Sequence, residues 1–253
     1  MRPNILSIAG FDPSGGAGVL ADVKTAESNG VYCCGVITSL TYQNDAEFDD
    51  VDWIETENII RQIHVLKRRI SFDAVKIGLV ADISTLETIV YYVKDALGSI
   101  PIVWDPILKA TAGFEFHNEE MTSNCFNILR QLALLTPNIP ESELLFKTSK
   151  PQELHSLIKE EKLCSILLKG GHSSGNDSID FLIDRNNTRD IPGVKFSGFE
   201  KHGTGCILSS AIASGLSKGL SMYESCLFAK KYVSSIITSN AMLLGYHSMN
   251  YEL

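Results

Sequence analysis

The sequence predicts an α/β protein with three layers, in which a mainly parallel sheet has helices on both faces. Short and nearly continuous apolar runs alternate with longer amphipathic segments along the 253 residues. Apolar strands of this kind are typical of parallel sheets, because both faces of such a sheet are buried under helices. No linker, internal repeat or low-complexity tract interrupts the alternation, so residues 1–253 are expected to form a single domain.

Each predicted strand is a short apolar run that ends at a turn residue. The first run, residues 4–9, leads into a glycine-rich turn, and the run at 102–104 ends at Asp105. The last two runs flank the pair Asn186-Asn187, which predicts a hairpin. The predicted strands are residues 4–9, 34–40, 74–78, 102–104, 134–136, 165–168, 179–183 and 188–191.

Each predicted helix carries apolar residues three or four positions apart, a spacing that places them on one face. In residues 56–67, for example, Ile59, Ile63 and Leu66 recur in this way. Gly30 follows the first predicted helix and Gly98 follows the helix predicted at 84–97, as is common at helix C-termini. The predicted helices are a segment that stops at Asn29 and residues 56–67, 84–97, 120–132, 151–160, 204–216 and 222–243.

Composition and charge exclude several classes of protein. The chain is 44% apolar and 21% charged with a formal net charge of −8, which is too apolar for a disordered chain and too charged for a membrane protein. The negative surplus argues against nucleic acid or an anionic membrane as partner, because both attract clustered Lys and Arg. The six cysteines form no CxxC pair and no zinc-ligand spacing, and no secretory signal precedes the first strand. We therefore expect a cytoplasmic protein with reduced thiols.

The first glycine-rich turn, residues 10–18, lies between a predicted strand and a predicted helix. It is not a Walker A loop, because no Gly-Lys-Ser/Thr follows. Residues 16–21 fit the dinucleotide-binding pattern GxGxxA, but the next strand ends without the acidic residue that would bind a ribose hydroxyl. Two other interpretations are a tight turn that lets helix and strand pack closely, and a substrate-lining turn with Asp22 as polar anchor.

The second glycine-rich turn is His202-Gly203-Thr204-Gly205-Cys206, which opens a helix of small residues. Backbone N–H groups converge at a helix N-terminus and the macrodipole adds partial positive charge, so an anion fits there. The same field lowers the pKa of a thiol, so Cys206 is expected to be partly thiolate near neutral pH and to act as a base. The alternative is that Cys206 is only a small residue at a crowded helix start. His202 is expected to be structural.

Polar residues also follow three further predicted strands. Asn138 and Glu141 place an amide and a carboxylate on one face of a helix start, which suits hydrated Mg²⁺ and phosphate oxygens. On this fragment alone, a capping box with Asn138 as N-cap and Glu141 at N3 is the better explanation. Lys169 at a strand end is a weak signal for phosphate, and Asp105 is a weak signal for a metal or a catalytic acid.

Seven stretches, taken together in their order and spacing, match a known family: IAGFDPSGGAG at 8–18, ADVKT at 21–25, VITSLTYQN at 36–44, KIG at 76–78, TPNIPE at 136–141, LKGGH at 168–172 and HGTGC at 202–206. They resemble the hydroxymethylpyrimidine/phosphomethylpyrimidine kinases of thiamine biosynthesis, within the ribokinase-like superfamily. Single stretches are weak signals, but the combination is highly specific. The resemblance implies the ribokinase-like three-layer α/β/α sandwich.

The resemblance further implies an ATP- and Mg²⁺-dependent kinase that phosphorylates 4-amino-5-hydroxymethyl-2-methylpyrimidine and then its monophosphate. By this likeness Gln43 would hydrogen-bond the pyrimidine, in a site lined by Gly10, Ala17, Asp22 and Leu79. The roles implied around the phosphates are an anion hole at Gly203, Thr204 and Gly205, a base at Cys206, Mg²⁺ and phosphate contacts at Asn138 and Glu141, and a phosphate contact at Lys169. Together with the signal at Asp105, this leads us to expect Mg²⁺ at Asp105 and Glu141, bound partly through water. Relatives are commonly homodimers, so a homodimer is expected.

Three departures from the family pattern make the second phosphorylation less expected than the first. After Asp105 and Pro106 the family usually has Ala-Lys-Ser-Gly, where this chain has Ala-Thr-Ala-Gly at 110–113. Where the family often has a Gly-x-Gly-x-Gly-Pro segment and histidines near the C-terminus, this chain has the different sequence of residues 245–251. Leu79 stands where the family has Met in the substrate pocket. The alternative functions are a pyridoxal or pyridoxine kinase, a non-catalytic pyrimidine-binding regulatory protein, and an NAD-dependent reductase.

Overall fold

The protein is described here by a computed structural model that covers residues 2–108, 125–170, 178–196, 198 and 200–247. The strands are β1 (Asn4–Phe11), β2 (Tyr32–Gln43), β3 (Phe48–Trp53), β4 (Ala74–Ile77), β5 (Ile102–Trp104), β6 (Leu134–Leu135), β7 (Ser165–Leu168), β8 (Asp180–Ile183) and β9 (Thr188–Ile191). The helices are α1 (Gly18–Ser28), α2 (Thr56–Lys67), α3 (Ile83–Leu97), α4 (Cys125–Leu129), α5 (Ile139–Phe146), α6 (Pro151–Glu161), α7 (Thr204–Ser217) and α8 (Met222–Ile237).

The described strands form one nine-stranded sheet in the order β3-β2-β1-β4-β5-β6-β7-β8-β9. The strands from β2 to β7 in this order pair in parallel, while β3 on one side and β8 and β9 on the other pair antiparallel. The carboxyl ends of the parallel strands therefore meet at one edge of the sheet, which is where ligands bind in open α/β sheets.

Two apolar layers cover the faces of the sheet. In β1, Leu6 and Ile8 pack with residues of α2, α3 and α6, whereas Ile5 packs on the opposite face with residues of α1, α7 and α8. The same alternation holds in β4, where Val75 faces the first layer and Ala74 the second. The predicted three-layer architecture is confirmed.

Small residues bring α1 close to the sheet. A Cβ atom added to Gly35 on β2 would lie only 2.5 Å from Cγ2 of Val19 on α1, so helix and strand are in direct contact there. The same layer of the structure contains Ala21 and Ala26 of α1, both fully buried. Because α1 follows β1 after a short turn, its N-terminus lies near the carboxyl edge of the sheet.

The structure differs from the predicted elements in two places, and part of a third predicted element is not described. The strand β3 was missed because its sequence, with Asp49, Asp50 and Asp52, is too acidic for an apolar run, yet it pairs with the extended end of β2 at the edge of the sheet. The last helix ends at Ile237 instead of residue 243, because the chain beyond it turns back, and Nζ of Lys201 binds two backbone carbonyl oxygens there. Residues 120–124 of the predicted fourth helix lie outside the described residues.

Among the described residues, no helix combines the length and the apolar character that a membrane span requires.

Candidate active site

The candidate site lies where the N-termini of α1 and α7 meet at the carboxyl edge of the sheet. The backbone of the second glycine-rich turn rests on that of the first: a Cβ on Gly203 would lie 2.0 Å from the carbonyl oxygen of Gly16. Gly203 also has a φ of +76°, in the left-handed region that favours glycine. Both the close approach and the backbone conformation therefore require a residue without a side chain.

A buried carboxylate, Asp12, holds the two turns together. Its oxygens accept hydrogen bonds from the backbone N–H groups of Ser14 at 2.9 Å and Ala17 at 2.8 Å, and from Nε2 of His202 at 2.9 Å. Burial raises the pKa of Asp12, but the hydrogen bonds from His202, Ser14 and Ala17 outweigh burial and hold that pKa below its ordinary value. His202, expected to be structural, thus links the start of α7 to the first turn.

Three of the predicted phosphate and metal residues come together at the ends of β5, β6 and β7. Nζ of Lys169 lies 3.0 Å from Oδ1 of Asp105 and 3.7 Å from Oε2 of Glu141. Burial lowers the pKa of the Lys169 ammonium, but Asp105 and Glu141 raise it above its ordinary value. Burial raises the pKa of Asp105, yet Lys169 and Lys76 bring it below its ordinary value. For Glu141 burial is decisive and the pKa is raised.

The capping box predicted for α5 is present. Oδ1 of Asn138 accepts a hydrogen bond from the backbone N–H of Glu141 at 2.8 Å, and Oε2 of Glu141 accepts one from the backbone N–H of Asn138 at 2.7 Å. The same Oε2 atom faces Lys169. The capping interpretation and a role beside the phosphates are therefore compatible for Glu141, whereas the oxygen of Asn138 is already used by the cap.

The second glycine-rich turn, residues 202–206, is called the anion loop below, and it approaches Lys169 at Gly205. A Cβ on Gly205 would lie 3.4 Å from Oδ2 of Asp105 and 3.5 Å from Nζ of Lys169. Gly203, the N-cap of α7, and Thr204, its first residue, precede Gly205 directly. The free N–H groups at the start of α7 and the ammonium of Lys169 therefore border the same space, which is suited to an anion.

The carboxylates suit a hydrated Mg²⁺ ion and do not suit a closed metal cage. Among the described residues there is no group of three or more His, Cys, Asp or Glu side chains that could hold a metal ion. Asp105 and Glu141 are instead bridged by Lys169. Mg²⁺ commonly keeps several waters and binds through one or two carboxylates and the phosphates of a substrate, which these residues can provide.

The expectation that Cys206 is partly thiolate near neutral pH is wrong for the protein without substrate. The side chain is only 5% exposed, and burial raises the pKa of the thiol to about 11. Lys76 and the backbone N–H of Gly18 lower this pKa, while the carboxylates of Asp22 and Asp105 raise it further. The helix N-terminus alone does not overcome desolvation and two neighbouring negative charges.

Asp22 was expected to line the substrate site, and the structure contradicts this expectation for its side chain. The carboxylate is fully buried beneath the turns, where its Oδ2 atom lies 2.8 Å from Nζ of Lys76 and accepts a hydrogen bond from Oγ of Ser7. Sequence reasoning assigned Lys76 no role. The available signal was a lysine inside the strand run 74–77, where a buried charge needs a partner.

The residues expected at the pyrimidine lie at the ends of β1, β2 and β4. A Cβ on Gly10 would lie 3.3 Å from Cδ2 of Leu79, so these two residues are adjacent. Ala17 is the N-cap of α1. Gln43 is partly exposed at the end of β2, and its Nε2 donates a hydrogen bond to Oγ1 of Thr41 at 2.8 Å.

Several predicted features lie outside the described residues. They are the departure at 110–113 with Thr111 and Ala112, the residues Gly171 and His172 of the lysine motif, and the end of the chain from 248 onwards.

Comparison with known proteins identifies relatives over nearly the whole chain. A family model described as phosphomethylpyrimidine kinase matches residues 12–251. The hydroxymethylpyrimidine/phosphomethylpyrimidine kinase of Staphylococcus aureus (strain Mu50) is 34% identical over 246 residues, which cover 94% of this chain and 89% of the relative. The enzyme of the same name from Aquifex aeolicus is 32% identical over 258 residues, covering 97% and 99%.

Solved structures confirm the ribokinase-like fold. Phosphomethylpyrimidine kinase from Clostridium difficile 630 is 30% identical and superimposes with a TM-score of 0.77, covering 94% of this chain and 100% of the other. The ADP complex of Bacillus subtilis pyridoxal kinase has a TM-score of 0.82 at 24% identity, covering 94% and 93%. At this lower identity the likeness concerns the fold alone.

The buried carboxylate of Asp12 gives a pH-dependent prediction. Replacing Asp12 with Asn should lower the free energy of unfolding by about 1–3 kcal/mol at pH 7, because it weakens hydrogen bonds to a charged acceptor. The folded-state pKa lies below the ordinary 3.8, so the ionised form contributes stability above about pH 4 and loses it as the pH falls through the folded-state pKa. Urea unfolding at pH 7 and pH 3 measures the difference.

The control for this prediction is Asp49→Asn, at an exposed position on β3, which should change the free energy of unfolding little at either pH. An Asp12→Asn deficit that is equally large at both pH values would contradict the assignment of Asp12 as a stabilising ionised acceptor.

Proposed function

This chain belongs to the phosphomethylpyrimidine kinase family, a family of phosphotransferases, and we propose that it phosphorylates 4-amino-5-hydroxymethyl-2-methylpyrimidine and then its monophosphate, with ATP and Mg²⁺. The observation that carries this proposal is the convergence of the anion loop at Gly205 with Lys169 and Asp105 at the carboxyl edge of the sheet. The products of these two steps belong to thiamine diphosphate biosynthesis.

Phosphoryl transfer needs positioning and charge stabilisation more than covalent chemistry from the protein. In the proposed site the backbone N–H groups of Gly203, Thr204 and Gly205 form an anion hole for the transferred group. Lys169 offsets negative charge on the phosphates from the other side of the same space. Such preorganised donors in a site shielded from water act most strongly where negative charge develops.

Asp105 and Glu141 would hold Mg²⁺, partly through water, once a nucleotide displaces Lys169 from its position between them. The ion would neutralise charge on the phosphate oxygens when bound. Burial raises the pKa of Glu141 and the carboxylate of Asp105 raises it further, while Lys169, the ammonium that faces both carboxylates, only partly offsets this rise.

Cys206 is proposed as the base that accepts the proton of the substrate hydroxymethyl group. Because the pKa of this thiol is about 11 before substrate binds, the thiolate is scarce at neutral pH. Turnover limited by this base should therefore rise with pH through the alkaline range. Gln43, Gly10, Ala17 and Leu79 are proposed to bind the pyrimidine ring, with Asp22 beneath them without direct contact.

A pyridoxal or pyridoxine kinase remains the second candidate, because its substrate carries a hydroxymethyl group on a ring of similar size. A non-catalytic pyrimidine-binding protein and an NAD-dependent reductase are less compatible with the phosphate site. A cytoplasmic homodimer without nucleic acid or membrane partners remains the prediction for assembly and location.

Assays of the protein with ATP and Mg²⁺ against the pyrimidine alcohol, its monophosphate and pyridoxal should give phosphorylation of the pyrimidine alcohol with the highest kcat/KM. A lower rate with the monophosphate would agree with the departures from the family pattern. A preference of tenfold or more for pyridoxal would overturn the substrate assignment. Turnover that required a nicotinamide cofactor would overturn the reaction class.

Replacing Cys206 with Ala should lower kcat by about 10²–10⁴-fold, the usual contribution of a general base, and leave pyrimidine binding intact. Calorimetric titration with the pyrimidine measures binding separately from turnover. Cys226→Ala is the matched control, since this thiol is fully buried between α8 and the sheet and should affect stability without affecting kcat. Turnover of Cys206→Ala within a few fold of the unmodified protein would exclude Cys206 as the base.

Glu141→Gln separates the capping role from the proposed charge role. Gln also serves at N3 of a capping box, so the free energy of unfolding should change by less than about 0.5 kcal/mol. The loss of the carboxylate should lower kcat at least tenfold and raise the Mg²⁺ concentration needed for half-maximal activity. Asn138→Ala is the comparison, because it removes the cap and should cost about 1 kcal/mol of stability. Unchanged kinetics in Glu141→Gln would show that the residue serves only the helix.

A further inference from the structure

A single lysine, Lys76, lies inside the buried strand β4. All four residues of the strand are buried, and the Lys76 side chain has no exposed surface. Moving an ammonium group out of water carries an effective penalty of several kcal/mol even after the protein relaxes. Such a charge needs a partner.

The partner of Lys76 is Asp22 of α1, and the pair is incompletely satisfied. Nζ of Lys76 lies 2.8 Å from Oδ2 of Asp22, and Oγ of Ser7 donates to the same oxygen. The second oxygen, Oδ1, has no hydrogen-bond partner among the residues that the structure describes. Buried ion pairs can often be replaced by apolar residues without loss of stability. Stability therefore does not explain why an ion pair stands here.

The position of the ammonium group places it under the site. A Cβ on Gly78 would lie 2.8 Å from Nζ of Lys76, so the ammonium touches the backbone that leaves β4. The next residue, Leu79, is adjacent to Gly10 and belongs to the proposed pyrimidine site. Lys76 thus lies directly below the carboxyl edge of the sheet and is shielded from solvent by it.

The helix α7 brings Cys206 over the same ion pair. Oγ of Ser210 donates a hydrogen bond to the backbone oxygen of Asp22 at 3.1 Å, so this face of α7 contacts α1. Cys206 precedes Ser210 by four residues and therefore lies on the same helix face, one turn closer to the N-terminus. The thiol also accepts a hydrogen bond from the backbone N–H of Gly18, four residues before Asp22 on α1, so it lies one helical turn from the residue that pairs with Lys76.

Four charged groups act on the thiol. The ammonium groups of Lys76 and Lys169 favour the thiolate of Cys206, while the carboxylates of Asp22 and Asp105 oppose it. After burial, the influence of Lys76 on the pKa of Cys206 is the largest. Lys169 already serves two carboxylates and is expected to turn to the phosphates, so Lys76 is the cation left for the thiolate.

We propose that Lys76, held by Asp22 and Ser7, is a positioning residue that supplies the fixed positive charge opposite the thiolate of Cys206. The inference rests on the proposed function, in which this thiolate is the base. In that step the O–H bond of the substrate alcohol breaks and its proton passes to the sulfur, while the oxygen bonds to the γ-phosphorus and ADP leaves. Lys76 keeps its own proton and transfers none.

Two variants isolate the charge of Lys76 from the integrity of the ion pair. Asp22→Asn and the double variant Asp22→Asn with Lys76→Met both lack the ion pair, and they differ only at the ammonium. Iodoacetamide reacts with the thiolate, so at pH 8, well below the pKa of the thiol, the alkylation rate is proportional to the thiolate fraction. Mass spectrometry of the peptide that contains Cys206 gives this rate, and the peptide that contains Cys226 reports on general opening.

The Asp22→Asn variant should be alkylated at Cys206 faster than the unmodified protein, because an opposing carboxylate is gone. The double variant should react tenfold or more slowly than Asp22→Asn, which corresponds to about one pKa unit. With the pyrimidine as substrate, kcat should follow the alkylation rate and be lower in the double variant than in Asp22→Asn. KM should stay within about twofold, since neither side chain touches the ring. Equal alkylation rates in the two variants would overturn the proposal, because a purely structural pair predicts equal effects.

Circular dichroism and thermal unfolding identify a variant that does not fold. If the double variant fails to fold, Asp22→Asn with Lys76→Gln takes its place, and an alkylation rate equal to that of Asp22→Asn overturns the proposal. Failure of the proposed base is recognised separately: the alkylation rates would follow the expected order, but Cys206→Ala would retain its kcat.

Discussion

The backbone contact between the two glycine-rich turns is the constraint on which the site depends. Gly203 rests on the carbonyl oxygen of Gly16, and Asp12 ties the two turns together through His202. The contact brings the N-termini of α1 and α7 to one place, with Cys206 between them. Amide groups from both helices then act on one small volume, which neither turn provides by itself.

Charge balance supports the proposal that a nucleotide and a cation bind in this volume. Two ammonium groups, Lys76 and Lys169, face three carboxylates, Asp22, Asp105 and Glu141, so negative charge is in excess by one if all five are ionised. The raised pKa values of Asp22 and Glu141 reflect burial together with this imbalance. Phosphate groups that enter here need additional positive charge, which backbone N–H groups and Mg²⁺ are able to provide.

Local patterns predicted the order of strands and helices, because periodicity and turn residues act over a few positions. They failed where the cause lies elsewhere in the chain. The pairing of Asp12 with His202 joins residues 190 positions apart. The buried Asp22 of α1 is paired with Lys76 on β4 and Ser7 on β1. The helix start correctly located Cys206, but the effect of desolvation on its pKa depends on packing that no local motif contains.

The phosphate half and the ring half of the site have different determinants. In the proposed site, the anion loop, Lys169 and the carboxylates would recognise phosphates and a cation, and these contacts do not depend on the ring of the alcohol. Under this proposal, discrimination between a pyrimidine and a pyridine ring is expected to come from contacts at Gln43, Leu79 and Gly10. A carboxamide distinguishes rings by their hydrogen-bonding edge, and an unsatisfied buried edge costs about 1–3 kcal/mol. A single change at Gln43 can thus alter the preferred ring while the phosphoryl-transfer machinery stays the same.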